Sequence, residues 1–201
     1  EINAELSLDK RNFYFQFQSD GTAANENACK AALMVRKEWD ELEGVKMDGK
    51  LVMASFDNAF HGRSAWMLSL LHSPNRPHFC KGVPLIESAK LMYPPMNATE
   101  EEEDQVVATN TFVIECWNGR IGGAIIEPIQ AEGGDKHCSG RFLAKMQELF
   151  DQHRIILIVD EVQSGMGVAG TLWAYESLTY NGDIALKPDI VTYSALISAC
   201  E

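Results

Sequence analysis

Asp160 directly follows five branched apolar residues, Ile155 to Val159, and a carboxylate placed there can hold a cationic partner. Five residues are too few for a buried helix and suit a strand covered on both faces. In open α/β sheets ligands collect outside the carboxyl ends of the strands, which is where this acid should sit. A carboxylate tied to an apolar strand end is costly unless something cationic meets it. A cofactor with a basic ring nitrogen is one such partner, because an acid beside that nitrogen tunes the ring as an electron sink. An aspartate that starts a turn or caps a helix is the competing reading. For an isolated strand–Asp junction it is the better one.

The neighbouring stretches bear on that choice. Ile121 to Asp135 reads IGGAIIEPIQAEGGD, a second apolar strand that ends in an acid and a Gly-rich loop. Asn12 to Gln18, NFYFQFQ, alternates aromatic and polar side chains with period two, a strand signature. Ser19-Asp20-Gly21-Thr22 then turns the chain. From Ala24 the pattern is helical, with Ala24, Ala28, Ala32 and Val35 on one face and Arg36 and Lys37 near the end. A strand, a Gly-Thr turn and a helix start form an anion site, with backbone N–H groups and the positive dipole end facing outward. A helix capped by Thr22 or Asp20 fits the same residues equally well. Lys50 to Phe56, KLVMASF, is the next strand, followed by Asp57-Asn58-Ala59-Phe60-His61-Gly62-Arg63. Phe60 at a strand end presents a flat ring that can stack on a heteroaromatic face or pack into the core.

The rest of the chain must position these groups. His72 to Pro95 holds five of the seven prolines and reads as an extended excursion over the surface. Thr99 to Asn118 reads as a helix with an acidic first turn, and with Val106, Val113 and Trp117 inward. Phe142 to Phe150 is a firmer helix, with Phe142, Met146, Leu149 and Phe150 on one stripe. Asp189 to Tyr193, after Pro188, is a final strand. Strands alternating with helices imply an α/β fold, a three-layer αβα sandwich around a mostly parallel sheet. Gly165-Met166-Gly167-Val168-Ala169-Gly170 matches G-x-G-x-x-G, but Asp160 to Ser164 separate it from the strand and no amphipathic helix follows. A dinucleotide fingerprint would open directly into a helix, so this is a glycine-rich loop.

At 201 residues the chain suffices for one domain with a real core, and its apolar and charged contents of 46% and 23% are ordinary. A net charge of −12 argues against a nucleic-acid or anionic-membrane surface. Glu100 to Asp104 is an unbroken acidic run, read as a solvated helix start. No apolar stretch approaches the ~20 residues needed to span a bilayer. The five cysteines are odd in number and lack zinc-type spacing, so no metal site is expected and reduced intracellular thiols are.

EPIQAEGGD and VDEVQSGMG together resemble the class III (omega) aminotransferases of the type I pyridoxal-phosphate fold, with the 4-aminobutyrate branch nearest. The resemblance runs from about Phe13 to Ser194. It implies that residues 1–201 are most of a large, cofactor-binding domain, without the family's N-terminal segment and C-terminal small domain. It implies pyridoxal 5′-phosphate as cofactor, with Gly21, Thr22 and the Ala23 amide cradling the phosphate and Phe60 stacking on the ring beside His61. Asp160 would keep the ring nitrogen protonated. Val162 and Gln163 follow it, Gln163 near the phenolic oxygen. Arg63 would hold the substrate carboxylate, for which a planar bidentate fork suits Arg better than Lys, although a surface ion pair is its competing reading. Glu132 corresponds to the glutamate that pairs with a C-terminal arginine of the family, and Glu127 is a further match. Asp20 and Ala23 stand where animal 4-aminobutyrate aminotransferases carry two cluster-binding cysteines, so no iron–sulfur cluster is expected. Amino acid and 2-oxo acid substrates, a homodimer, and a mitochondrial or cytoplasmic setting are further implications.

The sequence departs from the family pattern at one decisive place. Where the family reads Ser-Lys, this chain reads Pro188-Asp189-Ile190-Val191-Thr192-Tyr193-Ser194-Ala195, and no lysine follows Ser194. Replacement by Ala195, a deleted residue, and a modified lysine left unwritten all fit. Two classes of function remain open on the sequence. One is an aminotransferase moving an amino group from an ω-amino acid, 4-aminobutyrate first and ornithine or acetylornithine second, to 2-oxoglutarate. The other is a catalytically dead aminotransferase-like subunit that serves as an interaction module.

Overall fold

Alternate residues of a strand point to opposite faces of its sheet, and here both faces are buried. A computed structural model of the chain describes residues 16–46, 49–73 and 76–187. Its central sheet has four parallel strands in the order β2-β1-β3-β6: β1 Val52–Phe56, β2 Ala89–Leu91, β3 Ile121–Ile126 and β6 Ile156–Val159. Val52, Ala54 and Phe56 of β1 enter one core cluster with Ala124 and Ile126 of β3 and Leu157 and Val159 of β6. Met53, Ile125, Ile156 and Ile158 enter the other. Near-continuous apolar strands are what a sheet covered on both sides requires.

Helix α1, Gly21–Leu42, covers the second face through Ala28, Cys29 and Ala32. Two short helical turns follow β1, α2 Ala65–Ser69 and α3 Arg76–Phe79. Helices α4, Glu100–Cys116, and α5, Gly140–Gln152, cover the first face, where Phe142, Met146 and Phe150 fill the core. Phe56, Tyr93 and Phe142 meet there with ring centroids 6.1 to 6.4 Å apart. Minor ladders β4–β5 (Ile129–Gln130 with Lys136–His137) and β7–β8 (Thr179–Tyr180 with Asp183–Ile184) are antiparallel. The three-layer, mostly parallel architecture read from the sequence is therefore present.

Arg36 fastens the end of the sheet where β3 and β6 begin. Its guanidinium donates to the carbonyls of Gly119, Ile121 and Arg154 at 2.9 to 3.1 Å and pairs with Asp40 at 3.0 Å, all but buried. A buried arginine survives only when its donors are met in this way. From sequence it read as an ordinary basic residue near a helix end.

Several boundaries differ. Helix α1 starts at Gly21 rather than Ala24, because Asp20 caps it: its Oδ1 accepts the Ala23 N–H at 2.9 Å. Gln16 to Gln18 are not in a strand, and Asn12 to Phe15 lie outside the described residues, as does the expected strand Asp189 to Tyr193. The proline-rich excursion is not only surface chain, since it supplies edge strand β2. In α4 the buried positions are Glu103, Asn110 and Ile114, with Val106, Val113 and Trp117 only partly covered. Asn110 faces inward because its side chain exchanges hydrogen bonds with the Met92 backbone. Gly165 to Gly170 form loop and turns, and no α-helix opens from them. No described helix is long and apolar enough to cross a membrane. Among the described residues no group of three or more His, Cys, Asp or Glu is placed to hold a metal ion.

Candidate active site

The chain leaves β1 toward β2 on one side and returns to β3 on the other, so the topological switch lies between β1 and β3. Open α/β sheets bind ligands in the crevice at such a point, outside the carboxyl ends of the strands. A cavity of about 230 Å³ occupies this place, bounded by the segments after β1, β3 and β6 and by the start of α1. Gly21, Thr22, Phe60, His61, Asp160, Val162 and Gln163, drawn from three distant stretches of sequence, all line it. Ala23, Arg63 and Glu132 do not.

Asp160 lies at its floor, 4% exposed. Its Oδ2 accepts from Asn25 Nδ2 at 2.7 Å and lies 2.8 Å from His61 Nδ1, while Oδ1 accepts the Val162 N–H at 3.1 Å. Asn25 also donates to the His61 carbonyl at 3.0 Å, which locks α1 to the segment after β1. A carboxylate has about four acceptor positions, so three protein donors leave room for another.

Two carboxyls and one imidazole set the electrostatics. Burial pushes the Glu127 carboxyl up to about 7, helped by the charges of Asp160 and Glu132 against the opposing effects of His61 and the Phe60 N–H. Its Oε2 accepts that N–H at 3.0 Å. Burial pulls His61 down, but the hydrogen bond and charge of Asp160 and the charge of Glu127 outweigh it, and the imidazole stays above its ordinary value. His61 is 2% exposed, and its buried Nε2 has no hydrogen-bond partner among the described residues.

Close backbone approach shapes the other wall. Gly62 adopts a φ of +125°, and a Cβ there would lie 2.6 Å from Thr22 Oγ1. A Cβ on Gly21 would lie 3.0 Å from both methyls of Val162. These two glycines let the start of α1 sit against the segments after β1 and β6.

One member of the expected cradle is already engaged. The Ala23 N–H is taken by Asp20, whose acid this hydrogen bond, then that of Ser19, hold below the usual carboxylate range. Of the three expected cradle residues, Gly21 and Thr22 line the cavity and Ala23 does not. Arg63 stacks its guanidinium between two rings, 5.4 Å from the centroid of Phe60 and 4.8 Å from that of Phe79. Glu132 is exposed on the loop between β4 and β5. Ser194 and Ala195 lie outside the described residues. Asn25 was missed in the sequence, where its signal was a polar residue on the stripe continued by Cys29, Ala32 and Arg36.

An acid, a ring and a helix start converging at the carboxyl ends of a parallel sheet define the ligand-binding domain of an α/β protein. The profile of the family "Aminotransferase class-III" matches residues 7–199. The L-lysine-epsilon aminotransferase of Streptomyces clavuligerus is 36% identical over 192 residues, which cover 92% of this chain and 40% of that protein. The 4-aminobutyrate aminotransferase of Saccharomyces cerevisiae is 34% identical over 197 residues, covering 87% and 41%. A solved lysine aminotransferase from M. tuberculosis superposes with a TM-score of 0.79 at 31% identity, covering 92% of this chain and 42% of that one. The chain belongs to the class III aminotransferases. It spans about two fifths of the length of these relatives.

Class III aminotransferases depend on pyridoxal 5′-phosphate, and the cavity fits that group. Its floor offers a buried carboxylate with acceptor capacity left for a ring nitrogen, and Phe60 offers an aromatic face. Gly21 and Thr22, at a helix start, suit a phosphate.

Proposed function

We propose that this chain is the cofactor-binding part of an aminotransferase large domain, which moves an amino group from an ω-amino acid to a 2-oxo acid. The observation that carries this reading is the buried Asp160, held by Asn25, His61 and the Val162 amide on the floor of a cavity walled by Phe60 and a helix start. Pyridoxal phosphate, when bound, supplies an electron-withdrawing ring that takes up charge from the substrate carbon. Asp160 keeps the ring nitrogen protonated, and Asn25 and the Val162 amide fix the carboxylate's orientation. Phe60 offers its face to the ring, Gly21 and Thr22 meet the phosphate, and Gln163 stands by the phenolic oxygen. Arg63, fixed over Phe60, takes the substrate carboxylate that lies far from the reacting amine. Glu132 gates that position in a dimer with the segments these relatives carry beyond this span. With both lysine and 4-aminobutyrate enzymes among the relatives, 4-aminobutyrate is our first donor and lysine or ornithine the alternatives.

The missing lysine supports a second reading, a non-catalytic relative that keeps the cofactor site. In the full-length protein, a form with lysine inserted between Ser194 and Ala195 is compared with the lysine-free form. Transfer from 4-aminobutyrate, lysine and ornithine to 2-oxoglutarate is measured for each. Transfer by the lysine-bearing form alone supports the enzyme. Comparable transfer by both forms overturns the placement of the lysine, and none by either supports the second reading.

A further inference from the structure

We propose that His61 is the counter-cation of Asp160 in the free site, and gives up its Nε2 proton when a cationic ring nitrogen takes its place against that carboxylate. The proposal rests on the functional reading above.

The geometry carries it. His61 Nδ1 and Asn25 Nδ2 share Asp160 Oδ2, at 2.8 and 2.7 Å, and His61 is shut from solvent. An unbalanced carboxylate in such a place is costly, and among its hydrogen-bond partners in the described residues only His61 can carry positive charge. The charged groups facing His61 are Asp160 after β6 and Glu127 after β3, both of which favour the imidazolium. His72, between α2 and α3, also faces it, but burial and then Arg76 and Lys90 hold His72 down to about 4, so it is neutral at pH 7. Asn25 from α1 is uncharged.

A second cation at Asp160 changes the balance. Two positive groups sharing one buried carboxylate repel each other across a poorly screened gap. The imidazolium has two protons to choose between. That on Nδ1 is hydrogen-bonded to Asp160, whereas the buried Nε2 has no hydrogen-bond partner among the described residues. The Nε2 proton is therefore the one lost, to solvent, and the neutral Nδ1–H tautomer goes on orienting Asp160. His61 is a positioning residue with a variable charge.

The test uses the full-length protein and pyridoxamine 5′-phosphate, which has no aldehyde to react with surface lysines. Nitrogen NMR of the His61 ring reads its charge and tautomer across pH. Free chain should show an imidazolium at pH 7. Saturation with the ligand should lower its titration midpoint by a pH unit or more and leave the proton on Nδ1. The analogue with carbon in place of the ring nitrogen should bind without this shift, and Asp160→Asn should leave His61 neutral before any ligand is added. By linkage, ligand affinity should rise about tenfold for each unit of pH increase between the bound and free midpoints, and level off above the free-site midpoint. In His61→Gln that added dependence should vanish. A neutral His61 in the free chain, or a bound ligand that leaves His61 unchanged, overturns the proposal while the functional reading stands. Failure of the ligand to bind at all removes both.

Discussion

The backbone N–H of Phe60 donates to Glu127 Oε2 at 3.0 Å, tying the segment after β1 to the end of β3 across the mouth of the cavity. The acid in this bond titrates near pH 7 rather than near its ordinary 4.5. A raised folded-state value means that the protonated form is favoured by folding. Its contribution is complete below about pH 4.5 and is lost as pH rises through about 7, on the order of 3 kcal/mol in all. Urea unfolding of wild type and Glu127→Gln at intervals across this window should show a decline in the first that is largely absent from the second. His61, raised in the same direction, accounts for a residual decline above pH 6.5. Parallel curves would mean that Glu127 titrates normally.

Asp160→Asn keeps the shape of the site and removes its charge. A pair at ~4 Å in a medium of effective dielectric near 20 is worth on the order of 4 kcal/mol before desolvation. Binding of pyridoxamine 5′-phosphate, followed by fluorescence, should weaken by about one to two decades. Unchanged affinity would remove Asp160 from the ring nitrogen.

Asp20 acts in the opposite sense on the proposed reading, since its carboxylate caps the helix start that a bound phosphate would face. Asp20→Ser keeps a cap and removes the charge. Because the residue is exposed and well screened, the gain is modest, roughly threefold to tenfold tighter binding of the same ligand. Weaker binding would show that Asp20 supports the cradle.

Arg63→Ala in the full-length protein should raise KM for the amino donor by about two decades, near 3 kcal/mol for a charge-assisted bidentate contact. The rings of Phe60 and Phe79 fix the guanidinium without satisfying its donors. An unchanged KM assigns the arginine to packing alone.

Arg36→Ala tests the other end of the sheet. It strands Asp40 and the carbonyls of Gly119, Ile121 and Arg154, so unfolding by urea should show a loss of about 3–5 kcal/mol. Ligand affinity of the folded fraction should not change. A loss under 1 kcal/mol would make the network incidental.

Much of the frame was legible in the sequence, because buried parallel strands announce themselves as apolar runs and Val159-Asp160 marks a strand end. The residues that line the cavity were found through motif resemblance, since no periodicity brings Gly21, Phe60 and Gln163 together. Asn25 and Arg36 stayed hidden for a common reason. Each is a polar residue on a buried stripe that reaches distant segments: Asn25 the His61 carbonyl and Asp160, Arg36 the carbonyls of Gly119, Ile121 and Arg154. Strand β2 was hidden because three residues inside a proline-rich segment carry little pattern of their own. Asp20 was legible as a cap and as part of an anion site, and only the geometry shows that the cap takes up the Ala23 N–H.

The parallel sheet also dictates how the molecule must be made. Ala54 pairs with Ala89 on one side and Ala124 on the other, 35 and 70 positions later. During synthesis at 5–20 residues per second, β1 therefore waits roughly 3 to 14 seconds for its second neighbour to emerge. Until β2 emerges, Val52 to Phe56 have no strand partner, and no local turn can close on them. The same connectivity that gathers the cavity from distant segments delays the closing of the sheet until β3 and β6 have been made.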